Sequence, residues 1–260
     1  MKKTRGLNET LADTAFRKRR VAEVRFTGQS SQHEPPRSVY LASCAEIARA
    51  FEPDGFKYAK SKQALTRKVG PLRFGISFQS SHNNVAGEYV ALWIHTGTYS
   101  TELQQWRKDN NATYTGDYFA GGQIGNLVQE KSWYEWNLAD PKSRGIETAD
   151  AIDTVRRIAL PMFRVFEVPK QAADALLVRD QPGLEVNQAI DFALCFGSRA
   201  HAEVVIDRFL TQRADLRADY LKLLRVNRPA GRNATIPGGW SAQLAEATLR
   251  FDLHPATSEA

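Results

Sequence analysis

The residues best suited to chemistry in this 260-residue chain lie on two neighbouring strand-like runs. His95 closes the run Val90-Ala91-Leu92-Trp93-Ile94-His95, and in an extended chain it shares a face with Tyr89 and Trp93, opposite Val90, Leu92 and Ile94. The preceding run, Leu72-Arg73-Phe74-Gly75-Ile76-Ser77-Phe78-Gln79, alternates in the same way. Pairing of the two runs would bring Arg73 and Gln79 towards His95. A histidine, a guanidinium and an indole beside side-chain-free Gly75 could hold an anionic or planar group, so Arg73, Gln79, Trp93 and His95 form the candidate ligand-binding set. The competing expectation is a face sealed by helices, with His95 merely hydrogen-bonded.

Two further groups have the composition of contact surfaces. Trp106, Tyr114, Tyr118, Trp133, Tyr134 and Trp136 are dense for their span and fall partly on loops, as in protein interfaces, although core packing would also use them. The segment Arg17-Lys18-Arg19-Arg20, with Arg25 beyond it, could neutralise phosphates. Residues 1–26 hold eight Lys or Arg against three Asp or Glu, so nearly all of the formal net charge of +6 belongs to them. A nucleic-acid partner would therefore act there, yet no helix-turn-helix, zinc finger or stacking motif accompanies the basic run.

Other chemistries lack their patterns. The histidines at 33, 82, 95, 201 and 254 show no His-x-x-x-His spacing, and Cys44 and Cys195 cannot make a zinc site or a disulfide framework, so neither metal nor cofactor is predicted. No Gly-x-Ser-x-Gly elbow is present, and Asp140-Pro141-Lys142 is a poor match to a nuclease centre. Gly121-Gly122-Gln123-Ile124-Gly125 lacks the lysine of a phosphate-binding loop and reads as a turn.

The elements that must position these residues follow from periodicity. Residues 1–38 read as a basic flexible arm and linker, ending in a Ser/Gln/Pro stretch. Leu41, Cys44, Ala45, Ala48 and Phe51 predict a helix over 39–52, stopped by Pro53-Asp54-Gly55. Strands are predicted at 56–60, 64–69, 72–79, 88–96 and 132–138, with a brief helix near Leu103 and Trp106 inside an irregular excursion over 97–131. Beyond Thr148 the apolar spacing turns helical, through Ala151, Ile152, Val155, Ile158 and Ala159 to Pro161, then 172–178, 186–196 and 205–223, with a break near Asp215 and one more helix over 242–249. The expected fold is α+β: an antiparallel meander over 39–140 packed by helices, with a mostly helical region over 141–260 on the same body. With 42% hydrophobic residues and no apolar run long enough to span a bilayer, the chain is expected to be cytoplasmic and to make no membrane contact.

Residues 39–108 resemble a bacterial family known as domain of unknown function 4304. The resemblance rests on a helix ending in Gly55-Phe56-Lys57, on Leu65-Thr66-Arg67, on Ile76-Ser77-Phe78-Gln79-Ser80-Ser81, and on a strand running into Tyr99-Ser100 and Trp106. It implies a fold and transfers no catalytic position; by analogy with small partner-binding domains it implies a role in immunity or defence. The expectation is a non-enzymatic protein-binding module acting through residues 97–138, with nucleic-acid association through the basic arm and an enzyme pocket at His95 as the alternatives.

Overall fold

The computed structural model describes residues 34–128 and 131–258, so Arg17, Lys18, Arg19, Arg20 and Arg25 lie outside the described residues. Pro36 stands in the first turn of helix α1 (Pro36–Ala50), where its missing N–H costs nothing, so residues 36–38, read as linker, belong to the helix, which starts three residues before the predicted 39. Its apolar stripe of Val39, Tyr40, Cys44 and Ile47 is buried.

A meander follows: β1 (Lys57–Ala59), β2 (Ala64–Val69), β3 (Leu72–Gln79) and β4 (Ala91–Ser100), each antiparallel to the one before. Helix α2 (Thr101–Asp109) is capped by Ser100, whose hydroxyl accepts from the Leu103 N–H at 3.1 Å. The chain then returns to the sheet as β5 (Tyr118–Gln123) beside β4, and a two-residue strand β6 (Trp136–Asn137) takes the stretch of β4 that β5 leaves free.

β5 corrects the reading of Gly121-Gly122-Gln123 as a turn, although Ile124 and Gly125 do open a single 3-10 turn. Both glycines are extended but with φ of +137° and +145°, a backbone open to residues without a Cβ. A Cβ on Gly121 would stand 2.3 Å from the Thr96 carbonyl oxygen. The strand is therefore real but carries no alternating side chains to announce it.

The C-terminal half is mostly helical: α3 (Arg144–Thr154), α4 (Leu160–Phe166), α5 (Pro169–Ala175), α6 (Val186–Phe196), α7 (Arg199–Gln212), α8 (Arg217–Asn227) and α9 (Trp240–Phe251). Pro161 does not end its helix. A π-helical stretch over Val155–Ala159 joins α3 to α4, and the wider turn accommodates the missing proline donor.

The helices pack on one face of the sheet. Phe74 meets Phe163 with ring centroids 5.1 Å apart, while Phe119 packs between Phe166 and Phe192 at 5.2 and 5.1 Å. One charged side chain is buried where sheet and helices meet. Arg107 is fully enclosed; it donates to Asp191 at 2.8 Å, to the carbonyls of Gly116 and Tyr118 at 2.8 Å each, and to Gln188. Burial pushes the Asp191 carboxyl up to about 6, against the pull of that guanidinium.

Candidate functional site

The other face of the sheet is open. Ser77 and Gln79 on β3 and Lys68 on β2 are exposed, while Phe74, Ile76, Phe78 and Ile94 point into the helices. Register sets what each residue meets across the strands: Gln79 faces Trp93, Ser77 faces His95, Gly75 faces Gly97, and Arg73 faces Tyr99. A row of glycines, Gly75, Gly97 and Gly121, thus crosses three adjacent strands. The Tyr99 phenol lies over Gly75 and Gly97: a Cβ on Gly97 would come within 2.5–2.8 Å of its hydroxyl oxygen and two of its ring carbons.

This geometry divides the sequence-derived set in two. Trp93 and His95 come together, whereas Arg73 is held on the far side of the glycine row. Its guanidinium carbon stacks 3.6 Å from the Tyr99 ring centroid, and it donates to Asp117 at 3.1 Å. Tyr118 meets Tyr99 edge-on at 5.7 Å, and burial raises its phenol to about 12. Gln79 remains exposed beside Trp93.

At the other end, Trp133 stands edge-on to both Trp93 (5.6 Å) and His95 (5.8 Å), yet is 54% exposed. Its loop is fixed from below. The buried Gln123 amide donates to the Tyr134 carbonyl at 2.6 Å and accepts from the Gly125 N–H at 2.7 Å; the Gly125 carbonyl in turn accepts from the Ser132 N–H at 3.1 Å. Glu135 accepts from the Trp93 indole N–H at 2.6 Å, and with burial it raises the Tyr89 phenol to about 12. Trp133 is therefore a rigidly mounted ring facing water.

His95 lies beneath that ring. Its Nε2 is buried without a hydrogen-bond partner, and loss of solvation lowers its pKa, which favours the neutral imidazole near pH 7.

The remaining aromatics disperse. Trp136 is buried and donates to Asp150 at 2.7 Å, and Tyr134 packs edge-on against it at 6.4 Å. Trp106 packs on Phe251 at 5.6 Å, and Tyr114 lies under Arg107. The strand predicted over 132–138 forms only at Trp136–Asn137; residues 132–135 are not strand.

No protein-family model, curated protein or solved structure matches this chain.

Other reactive groups are muted. Burial pushes both Cys44 and Cys195 up to about 12, which leaves only roughly one thiol in 10⁵ ionised at pH 7. Among the described residues no three His, Cys, Asp or Glu side chains converge as metal ligands, and no helix is long and apolar enough to cross a membrane.

The sequence reading passed over one arrangement. Ser198 Oγ lies 2.8 Å from His201 Nδ1, and His201 Nε2 lies 3.1 Å from Asp174 Oδ1, an order of hydroxyl, imidazole and carboxylate. The signal was the Ser-x-x-His spacing that opens α7, where residues three apart share a helix face. Asp174 also accepts from Lys170 at 2.6 Å; this contact first, and His201 second, hold its carboxyl below the usual range. Part of its charge is thus already engaged.

Proposed function

We propose that this protein is a non-enzymatic binding module that engages another protein through the open sheet face centred on Trp133. The observation that carries the reading is a tryptophan 54% exposed, yet braced edge-on by Trp93 and His95 and fixed to the sheet through Gln123. Large rigid aromatics and arginine dominate binding energy at protein interfaces because they remove much area from water at little entropic cost. Trp93, Tyr99 and the stacked Arg73 extend the same face.

Replacement of Trp133 by Ala should leave the fold intact, since the ring is mostly in water, but should remove a contact worth about 2 kcal/mol or more. Tagged wild-type and W133A proteins are compared by capture from lysate after nuclease treatment. A protein that co-elutes with the wild type near equal stoichiometry and is at least roughly tenfold depleted with W133A is the expected result. Identical eluates, or recovery that nuclease abolishes, would overturn the reading and move weight to the basic segment.

A second reading, hydrolysis with Ser198 as nucleophile, has the Ser198–His201–Asp174 line behind it. It requires that a fluorophosphonate ester label Ser198 in the native protein and that His201→Ala suppress the labelling. An unlabelled wild-type protein removes it.

A further inference from the structure

We propose that a cleft between the ends of α2 and α9 and the start of α7 binds a nucleoside phosphate. The cleft has a volume of about 750 Å³, within the range that accommodates a ligand of that size. Three arginines line it, Arg199, Arg232 and Arg250, and among the described residues no carboxylate side chain does.

The three guanidiniums are not equally committed. Arg250 is neutralised by Glu246 and also donates to the Asn111 carbonyl at 2.7 Å and to Thr113 at 2.9 Å. Arg199 and Arg232 share one carboxylate, Asp252, at 3.6 and 3.8 Å, and His254 lies 3.7 Å from its other oxygen. Arg199 makes one closer contact, to the Asp252 carbonyl at 2.9 Å. Two exposed guanidiniums around a single distant carboxylate leave a surplus of positive charge at the mouth of the cleft. A phosphate or diphosphate is a multiply charged anion whose oxygens fit planar N–H forks.

The rest of the lining suits a planar base. Trp106 and Phe251, packed 5.6 Å apart at 36°, form an aromatic wall on which a heterocycle can stack. Asn233 and Thr235 also line the space; both are exposed and their side chains form no hydrogen bond within the described residues, which leaves donors and acceptors for the edge of a base or for a ribose. Charge, ring and unpaired polar groups thus converge in one cavity whose residues are distinct from those of the Trp133 face.

Calorimetric titration of the full chain with ADP, pyrophosphate and adenosine tests the assignment. ADP should bind at least roughly tenfold more tightly than either fragment, because it alone uses both the arginines and the aromatic wall. Arg199→Gln and Arg232→Gln, at side chains 54% and 69% exposed, should leave the melting temperature unchanged and together weaken ADP at least about tenfold. Trp106→Leu should cut ADP affinity without changing that of pyrophosphate. No ADP binding at millimolar concentration, equal affinity for pyrophosphate and ADP, or ADP binding that survives the double arginine substitution would each overturn the proposal. The last of these would place the anion elsewhere, and capture through Trp133 would be unaffected by any of them.

Discussion

Arg107→Ala is expected to destabilise the protein by about 3–5 kcal/mol, the loss typical of breaking a buried ion pair by removing one member. The side chain is fully enclosed, and its removal leaves the Asp191 carboxylate, the Gln188 amide oxygen and the carbonyls of Gly116 and Tyr118 without their donor. Each buried acceptor so stranded costs about 1–3 kcal/mol, and the vacated volume adds a cavity term. Since whole domains are stable by only about 5–15 kcal/mol, the variant should lose a large fraction of its stability at 25 °C. Urea unfolding followed by circular dichroism measures this. A midpoint within experimental error of wild type would show that the network contributes no net stability. The paired replacement Arg107→Met with Asp191→Leu is expected to recover part of the loss, because the buried charges leave together, but the two carbonyls keep their orphaned lone pairs.

Gly121→Ala is the second large expected effect. It combines two separable costs: a φ of +137°, which an L side chain rarely adopts, and a Cβ placed 2.3 Å from the Thr96 carbonyl oxygen on the paired strand. Gly183 closes in from the other side, its carbonyl accepting from the Gly121 N–H at 2.9 Å, so β5 has little room to move away. Gly122→Ala supplies the comparison, because its φ is +145° but nothing lies within 4 Å of its added carbon. The Gly122 variant should lose about 1–3 kcal/mol from backbone strain alone, and the Gly121 variant at least about 2 kcal/mol more. Equal urea midpoints for the two would show that strands β4 and β5 separate freely enough to admit the methyl group.

These two residues also mark where the sequence stopped being readable. The strands at 64–69 and 72–79 coincide with the alternating runs, because Leu65, Phe74, Ile76 and Phe78 each announce a buried face at a period of two. β5 pairs in the same sheet but has two glycines where the alternation should be, and a strand without side chains is indistinguishable from a turn. Arg107 stands in a helix of polar residues, four positions after Leu103, and nothing in its neighbours sets it apart from an arginine in water. Its burial is decided by Asp191, 84 residues later.

The candidate site was legible to a similar depth. Alternation put Trp93 and His95 on one face, but only the register shows that Arg73 belongs to Tyr99 and Asp117, and only the hydrogen bonds that tie Gly125 to Ser132 and Gln123 to Tyr134 bring Trp133 over His95. Contacts between residues about 40 positions apart depend on loop geometry, which periodicity does not encode.

The ring contacts across the core have a consequence for synthesis. Phe74 and Phe119 rest on Phe163, Phe166 and Phe192, which lie roughly 50 to 90 residues further along the chain. A nascent chain therefore completes its sheet with only α1 and α2 available to cover the greasy side, and Phe74 and Phe119 stay without these partners until α4 and α6 have emerged. Over that interval the chain exposes the kind of surface that chaperones recognise, and a pause between residues 140 and 190 would prolong its vulnerability to aggregation.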